Sequence, residues 1–185
     1  YAANQITAGT PRWGNEARFH EVTKAILLNS ADKLDGVHGS TREIINETGQ
    51  NWLTTSANAF ASVALDEQMG AGHLNAEAAL TNFMPGEFDS GMTPVPTIGW
   101  DYGSIGAFGT SDYTFNQSVS GYVAITLAWD RRVELTDPDN SYSFGDAFFP
   151  YNNLSEVLNN LDVLLLNASG QVVTSSTTID DNLEH

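Results

Sequence analysis

Between Glu16 and Leu34 the chain reads EARFHEVTKAILLNSADKL. Phe19, Val22 and Ile26 recur at three- and four-residue spacing, Asn29 and Ser30 follow one turn on, and Ala25 and Leu28 lie beside them. That is the period of one helix face, and with Asn15 as N-cap and Gly36 as stop it predicts an amphipathic helix over Glu16 to Leu34. A second helix is expected from the capping residue Asn75 to about Asn82, with Ala76, Ala79, Leu80 and Phe83 inward and Pro85 ending it. The stretch between the helices, Arg42 to Gln68, has weak periodicity and a turn signal at Gly49, and reads as a hairpin or an irregular excursion.

Beyond Pro85 and Gly86 the vocabulary changes from Ala, Glu, Asn and Leu to Gly, Ser, Thr, Tyr, Phe and Val in short alternating runs. The shift predicts a boundary, with residues 1–86 as one unit and 87–185 as another. Alternation places Val123, Ile125, Leu127 and Trp129 on one face of a strand, and Leu161, Val163 and Leu165 on one face of another. A turn at Ser169-Gly170 followed by Val172 makes the latter a hairpin. Weaker alternation at Ile98, Trp100 and Tyr102, and at Tyr113, Phe115 and Val119, adds two further strands. The expected class is α+β, a helical segment followed by an antiparallel β-sandwich or jelly roll.

The charge narrows the partners. Seven basic residues face twenty-three acidic ones, a formal net charge of -16. Nucleic acid and anionic membrane both need Lys and Arg to replace counterions, so neither is an expected partner. The absence of cysteine excludes disulfides, thiolate metal sites and a cysteine nucleophile. Gly70 and Gly72 precede a helix as a phosphate-cradling loop would, but Asn75 stands where a dinucleotide fingerprint has its third glycine. Asp66 and Glu67 just before the loop would repel a pyrophosphate, so a packing turn is expected instead. His20, His38 and His73 share no zinc-ligand spacing. In DPDNSYSFGD the spacing of Asp137, Asp139 and Ser141 resembles the start of an EF-hand loop, yet Tyr142 and Phe148 replace the required Gly and Glu. Asp137, Asp139 and Asp146 therefore offer either a calcium site at the end of a sandwich or a solvated acidic loop.

Two segments resemble the subtilisin-like serine peptidases (subtilases). HEVTKAILLNSADKL is similar to the helix that follows the nucleophile helix in that family, matching at Val22, Lys24, Ala25, Leu27, Leu28, Ser30 and Ala31 with Thr23 inserted. LDEQMGAGHLNAEAAL resembles the segment that closes the catalytic domain, through Gly70, Gly72, Leu74, Asn75, Ala76 and Ala79. The pair occurs in the family's order. The last stretch resembles the β-sandwich modules that often follow, at Leu161, Asp162, Val163, Gly170, Val172, Val173, Ser175, Ser176, Asn182 and Glu184. The resemblance implies a secreted or cell-surface endopeptidase whose catalytic Asp, His and Ser and oxyanion Asn all precede this chain, so no catalytic residue is carried over. The tripeptide Gly109-Thr110-Ser111 lies in the wrong unit and leads into a strand.

Two expectations follow. Phe19, Val22, Ile26, Leu27 and Leu28 offer more apolar surface than two helices can cover, and want a sheet from this sandwich, another copy or an upstream catalytic segment. The alternative is a non-catalytic binding or adhesion module, calcium-dependent if the acidic loop holds the ion. It would present Trp100, Trp129, Tyr142, Phe148, Phe149 and Tyr151 to a protein or polymer, although the phase of Trp100 and Trp129 points to the core.

Overall fold

The computed structural model describes residues 1–33, 45–116, 123–130, 133–136, 147–150, 160–179 and 182–185. Helices occupy the first half: α1 (Ala2–Thr7), a 3-10 turn (Asn15–Arg18), α2 (His20–Asn29), a second 3-10 turn (Trp52–Thr54), α3 (Ser56–Ala59) and α4 (Ala76–Phe83). The described strands β1 (Leu127–Ala128), β2 (Val133–Thr136), β3 (Ala147–Pro150), β4 (Val163–Leu166), β5 (Val172–Ser176) and β6 (Leu183–Glu184) follow. They pair antiparallel as β1–β6, β2–β3 and β4–β5, so the chain is α+β.

The predicted long helix is shorter and broken at its start. Phe19 is extended, with φ -73° and ψ 146°, and separates the 3-10 turn from α2. Leaving the helical path lets its ring meet Tyr102 edge-on at 4.9 Å, a favourable aromatic geometry. At the other end α2 stops at Ser30, whose Oγ accepts a 2.7 Å bond from Asn82 of α4. The next residues turn away because Asp32 enters a backbone bridge with His73. Tertiary pairing thus overrides helix propensity at both ends.

The α4 helix forms where predicted, but of the four residues expected inward only Ala79 is buried and Phe83 half-buried, while Ala76 and Leu80 are exposed. Asn75 is extended and its Oδ1 accepts from the Ala78 N–H at 2.9 Å, satisfying one of the donors every helix start leaves open. The apolar stripe of α2 sends Val22 and Ile26 into a core with Trp13, Ala17, Ala79 and Trp100. Burying each aliphatic chain contributes about 1.5–3 kcal/mol. Trp13 meets Phe83 and Trp100 edge-on at 5.0 and 6.2 Å, while Phe83 and Trp100 stack at 5.8 Å.

Trp100 reaches this core without a strand. Residues 97–105 and 113–116 form no ladder, and Trp100 is held by a single parallel bridge to Glu87 and by an Nε1–H bond to the Phe83 carbonyl. Burying a large indole with its N–H satisfied outweighs the alternation that suggested a strand. The strand expected over Tyr122–Asp130 contracts among the described residues to Leu127–Ala128, extended by a bond from the Trp129 N–H to Asn182. The hairpin forms as read: Val163 and Leu165 are the half-buried positions, and Gly170 donates back to Asn167 at 2.9 Å to close the turn. The Asn167 side chain accepts from the Ser169 and Gln171 N–H groups, tightening it further.

Candidate functional site

The two segments of the subtilase resemblance, more than forty residues apart in sequence, meet in space. Asp32 and His73 exchange backbone hydrogen bonds of 2.8 and 2.9 Å. Gly72, at φ +118°, lies so close to this bridge that a Cβ there would stand 2.5 Å from the Asp32 carbonyl oxygen. The Asn75 amide donates to both Asp32 carboxylate oxygens at 2.9 and 3.0 Å while its oxygen caps α4. One asparagine therefore ties the end of α2 to the start of α4.

The glycine N–H groups of the loop are already committed. Gly70 N–H goes to Asp66, Gly72 N–H to Met69 and His73 N–H to Asp32. Asp66 itself accepts from the Gln68 and Met69 N–H groups, and Trp52 Nε1–H takes the Gly70 carbonyl. An anion cradle needs several unsatisfied N–H groups converging on one point, and here each glycine N–H is already bonded.

A second joint holds the C-terminal stretch. Glu184 is 0% exposed, and its carboxylate accepts from Ser176 Oγ–H, from Thr178 N–H and from Thr178 Oγ1–H. Asn182 pairs with the Trp129 backbone and accepts from Lys24 Nζ of α2 at 3.2 Å. Thr126 donates to Asn29 of α2 and meets His185 Nδ1 at 2.6 Å. The matched positions Ser176, Asn182 and Glu184 are thus structural, fastening β5 and β6 to one another and to α2.

His185 lies edge-on to Trp52, over whose ring Lys33 Nζ sits 4.7 Å from the centroid. Burial and then the Lys33 charge push the His185 imidazole down to about 4, and burial, partly offset by Asp32, pushes Lys33 down to about 8. Since the unfolded imidazole binds its proton near 6.5, the unfolded state holds more protons between pH 4 and 6.5. Acidification across that window is expected to cost about 3 kcal/mol of stability through this residue. Urea unfolding at pH 6.5 and pH 4 should show His185→Gln losing that much less than the parent; equal losses would refute the assignment.

The apolar face is only half covered. Val22 and Ile26 are buried, whereas Phe19 remains 38% and Leu27 40% exposed. Leu27 and Leu28 of α2, with Leu65, form the floor of a groove edged by Arg18, His20, Thr23 and Lys24.

Three carboxylates whose positions in the sequence do not suggest a cluster converge at Glu87, Asp89 and Asp101, with ligand atoms within 4.8 Å of one another. Tyr113 Oη–H donates to Asp101 Oδ2 at 2.7 Å, while Asp101 Oδ1 is buried without a partner among the described residues. Burial, then Asp101 and Glu16, raise the Glu87 carboxyl above its usual value, and burial with the Asp101 bond raises the Tyr113 phenol. The signal present in the sequence is the Glu-x-Asp pair in GEFD; Asp101 arrives only because Trp100 is drawn into the core. The predicted calcium ligands Asp137, Asp139 and Asp146, and the aromatics Tyr142 and Tyr151, lie outside the described residues. Phe148 and Phe149 are on β3, Trp100 is buried, and Trp129 is half-buried with its Nε1 unpartnered among the described residues. Ser111 is exposed, just past a turn in which Gly109 N–H bonds the Gly106 carbonyl.

Among the described residues no helix is long and apolar enough to cross a membrane. Comparison with protein-family models, with curated proteins and with solved structures gave no match to this chain.

Proposed function

We propose that this chain is the C-terminal part of a subtilisin-like serine endopeptidase. In this reading the helical half supplies the last helices of the catalytic domain, and the strands belong to an appended jelly-roll sandwich that stabilises the enzyme or binds substrate or surface. The chain by itself carries no catalytic residue.

The observation that supports this most is the interlocking of the two family-like segments: Gly72 against the Asp32 backbone, and Asn75 bonded to Asp32 while capping α4. Motif residues that fit only when both segments are present give each motif a physical reason to accompany the other. The exposed Phe19 and Leu27 add to it, since a helix that buries one flank and leaves another apolar flank open has the form of a layer made to cover a sheet.

The test uses the gene expressed from its own start. A fluorophosphonate probe is expected to label the full product at a serine within Gly-Thr-Ser-x-Ala-x-Pro upstream of Tyr1, and to leave the 185-residue chain unlabelled. Labelling of the chain itself, or an upstream sequence without that serine, overturns the proposal.

A further inference from the structure

We propose that His20 and Asp130, oriented by Glu21, form a surface site for a divalent transition metal of the zinc class. His20 and Glu21 open α2, and Asp130 follows β1, 110 residues away in sequence. One ligand atom from each of the three lies within 4.8 Å of the others.

The imidazole is flanked on both sides. His20 Nε2 stands 2.8 Å from Asp130 Oδ1, and Nδ1 stands 3.3 Å from Glu21 Oε2. A neutral ring has one N–H and one lone pair, so it can donate to one of these carboxylates but not to both. When Nδ1–H is given to Glu21 the Nε2 lone pair faces the Asp130 oxygen, and the 2.8 Å gap, a hydrogen bond when a proton on Nε2 fills it, can instead be bridged by a cation. A metal ion does this with His20 Nε2 and Asp130 Oδ1 as ligands. Glu21 then has the role that carboxylates commonly have behind a metal-bound histidine, fixing the tautomer and raising ligand basicity.

The donor set selects the ion. Imidazole with carboxylate suits zinc, copper or nickel, whereas calcium and magnesium prefer all-oxygen shells. His20 and Asp130 side chains are 77% and 60% exposed, so water can fill the remaining coordination positions. No Lys or Arg among the described residues forms an ion pair with Glu21 or Asp130; Arg131 and Arg132 lie outside the described residues. The strongly negative chain raises the local concentration of divalent cations. Bound there, the metal would pin α2 to the segment after β1, alongside the Lys24–Asn182 bond.

The test is calorimetric titration of the chelator-treated chain with Zn²⁺ at pH 7.5. One-to-one binding is expected, weakened at least tenfold by His20→Gln or Asp130→Asn and about tenfold by Glu21→Gln, where the order of the last effect follows metal sites in general. Excess Ca²⁺ should leave it unchanged. Histidine imidazole resonances followed by NMR should broaden or shift at His20 on Zn²⁺ addition. No heat, which would leave a protonated ion pair as the occupant, overturns the proposal. So does binding that survives both His20→Gln and Asp130→Asn, or NMR changes confined to the other histidines.

Discussion

Gly72→Ala is expected to destabilise the chain by about 3–5 kcal/mol, the range for a substitution that combines backbone strain with a main-chain clash. The new methyl would stand 2.5 Å from the Asp32 carbonyl oxygen and 3.0 Å from its carbon, on a backbone at φ +118°. Neither neighbour is the tip of a flexible side chain, so relief requires parting the two segments and losing both Asp32–His73 bonds. Gly70→Ala is the control. It also has positive φ, +58°, but nothing lies within 4 Å of its Cβ position, so it should cost only the ~1–2 kcal/mol of a left-handed non-glycine residue. Equilibrium urea unfolding of the two variants decides the matter: equal losses would mean that close approach is not what Gly72 provides.

Glu184→Ala should have an effect of similar size through a different cause. Removing the carboxylate leaves Ser176 Oγ–H, Thr178 N–H and Thr178 Oγ1–H facing a cavity, with both residues buried. Each unsatisfied donor forfeits about 1–3 kcal/mol of desolvation, and breaking buried charge-assisted pairs typically costs about 3–5 kcal/mol in all. The β5–β6 connection should loosen first, visible as faster amide exchange at Thr178 and His185. Glu184→Gln keeps one acceptor oxygen but turns an NH₂ toward donors, so it should fall between the parent and Glu184→Ala. A loss below about 1 kcal/mol for Glu184→Ala would show that the donors find other partners.

Both effects bear on the proposed function. Gly72 and Glu184 belong to the stretches that carry the resemblance, and each is occupied in joining one part of the chain to another. Among the motif residues, Gly72, Asn75, Ser176, Asn182 and Glu184 serve architecture.

Much of this was legible from residue order. Asn75 is a helix cap because its short amide reaches the N–H three residues on, a local interaction that needs no partner from elsewhere. The hairpin around Gly170 is equally local, its turn set by an Asn side chain and a glycine at φ +75°. Alternation placed Val163 and Leu165 on the covered side for the same reason.

What needed the tertiary structure were the choices made between distant segments. Two glycines one residue apart look alike in sequence, yet Gly70 only turns the chain, whereas Gly72 admits the Asp32 backbone. The helix predicted to Leu34 ends at Ser30 because Asn82 and His73 compete for its last residues. Trp100 leaves its expected strand for an aromatic cluster with Trp13 and Phe83, and thereby carries Asp101 to Glu87 and Asp89. His20, Glu21 and Asp130 likewise become neighbours only when the end of β1 reaches the first turn of α2. Periodicity and capping are short-range energies written into adjacent residues; the sites depend on which surfaces find each other, and that is decided when the whole chain buries its apolar area.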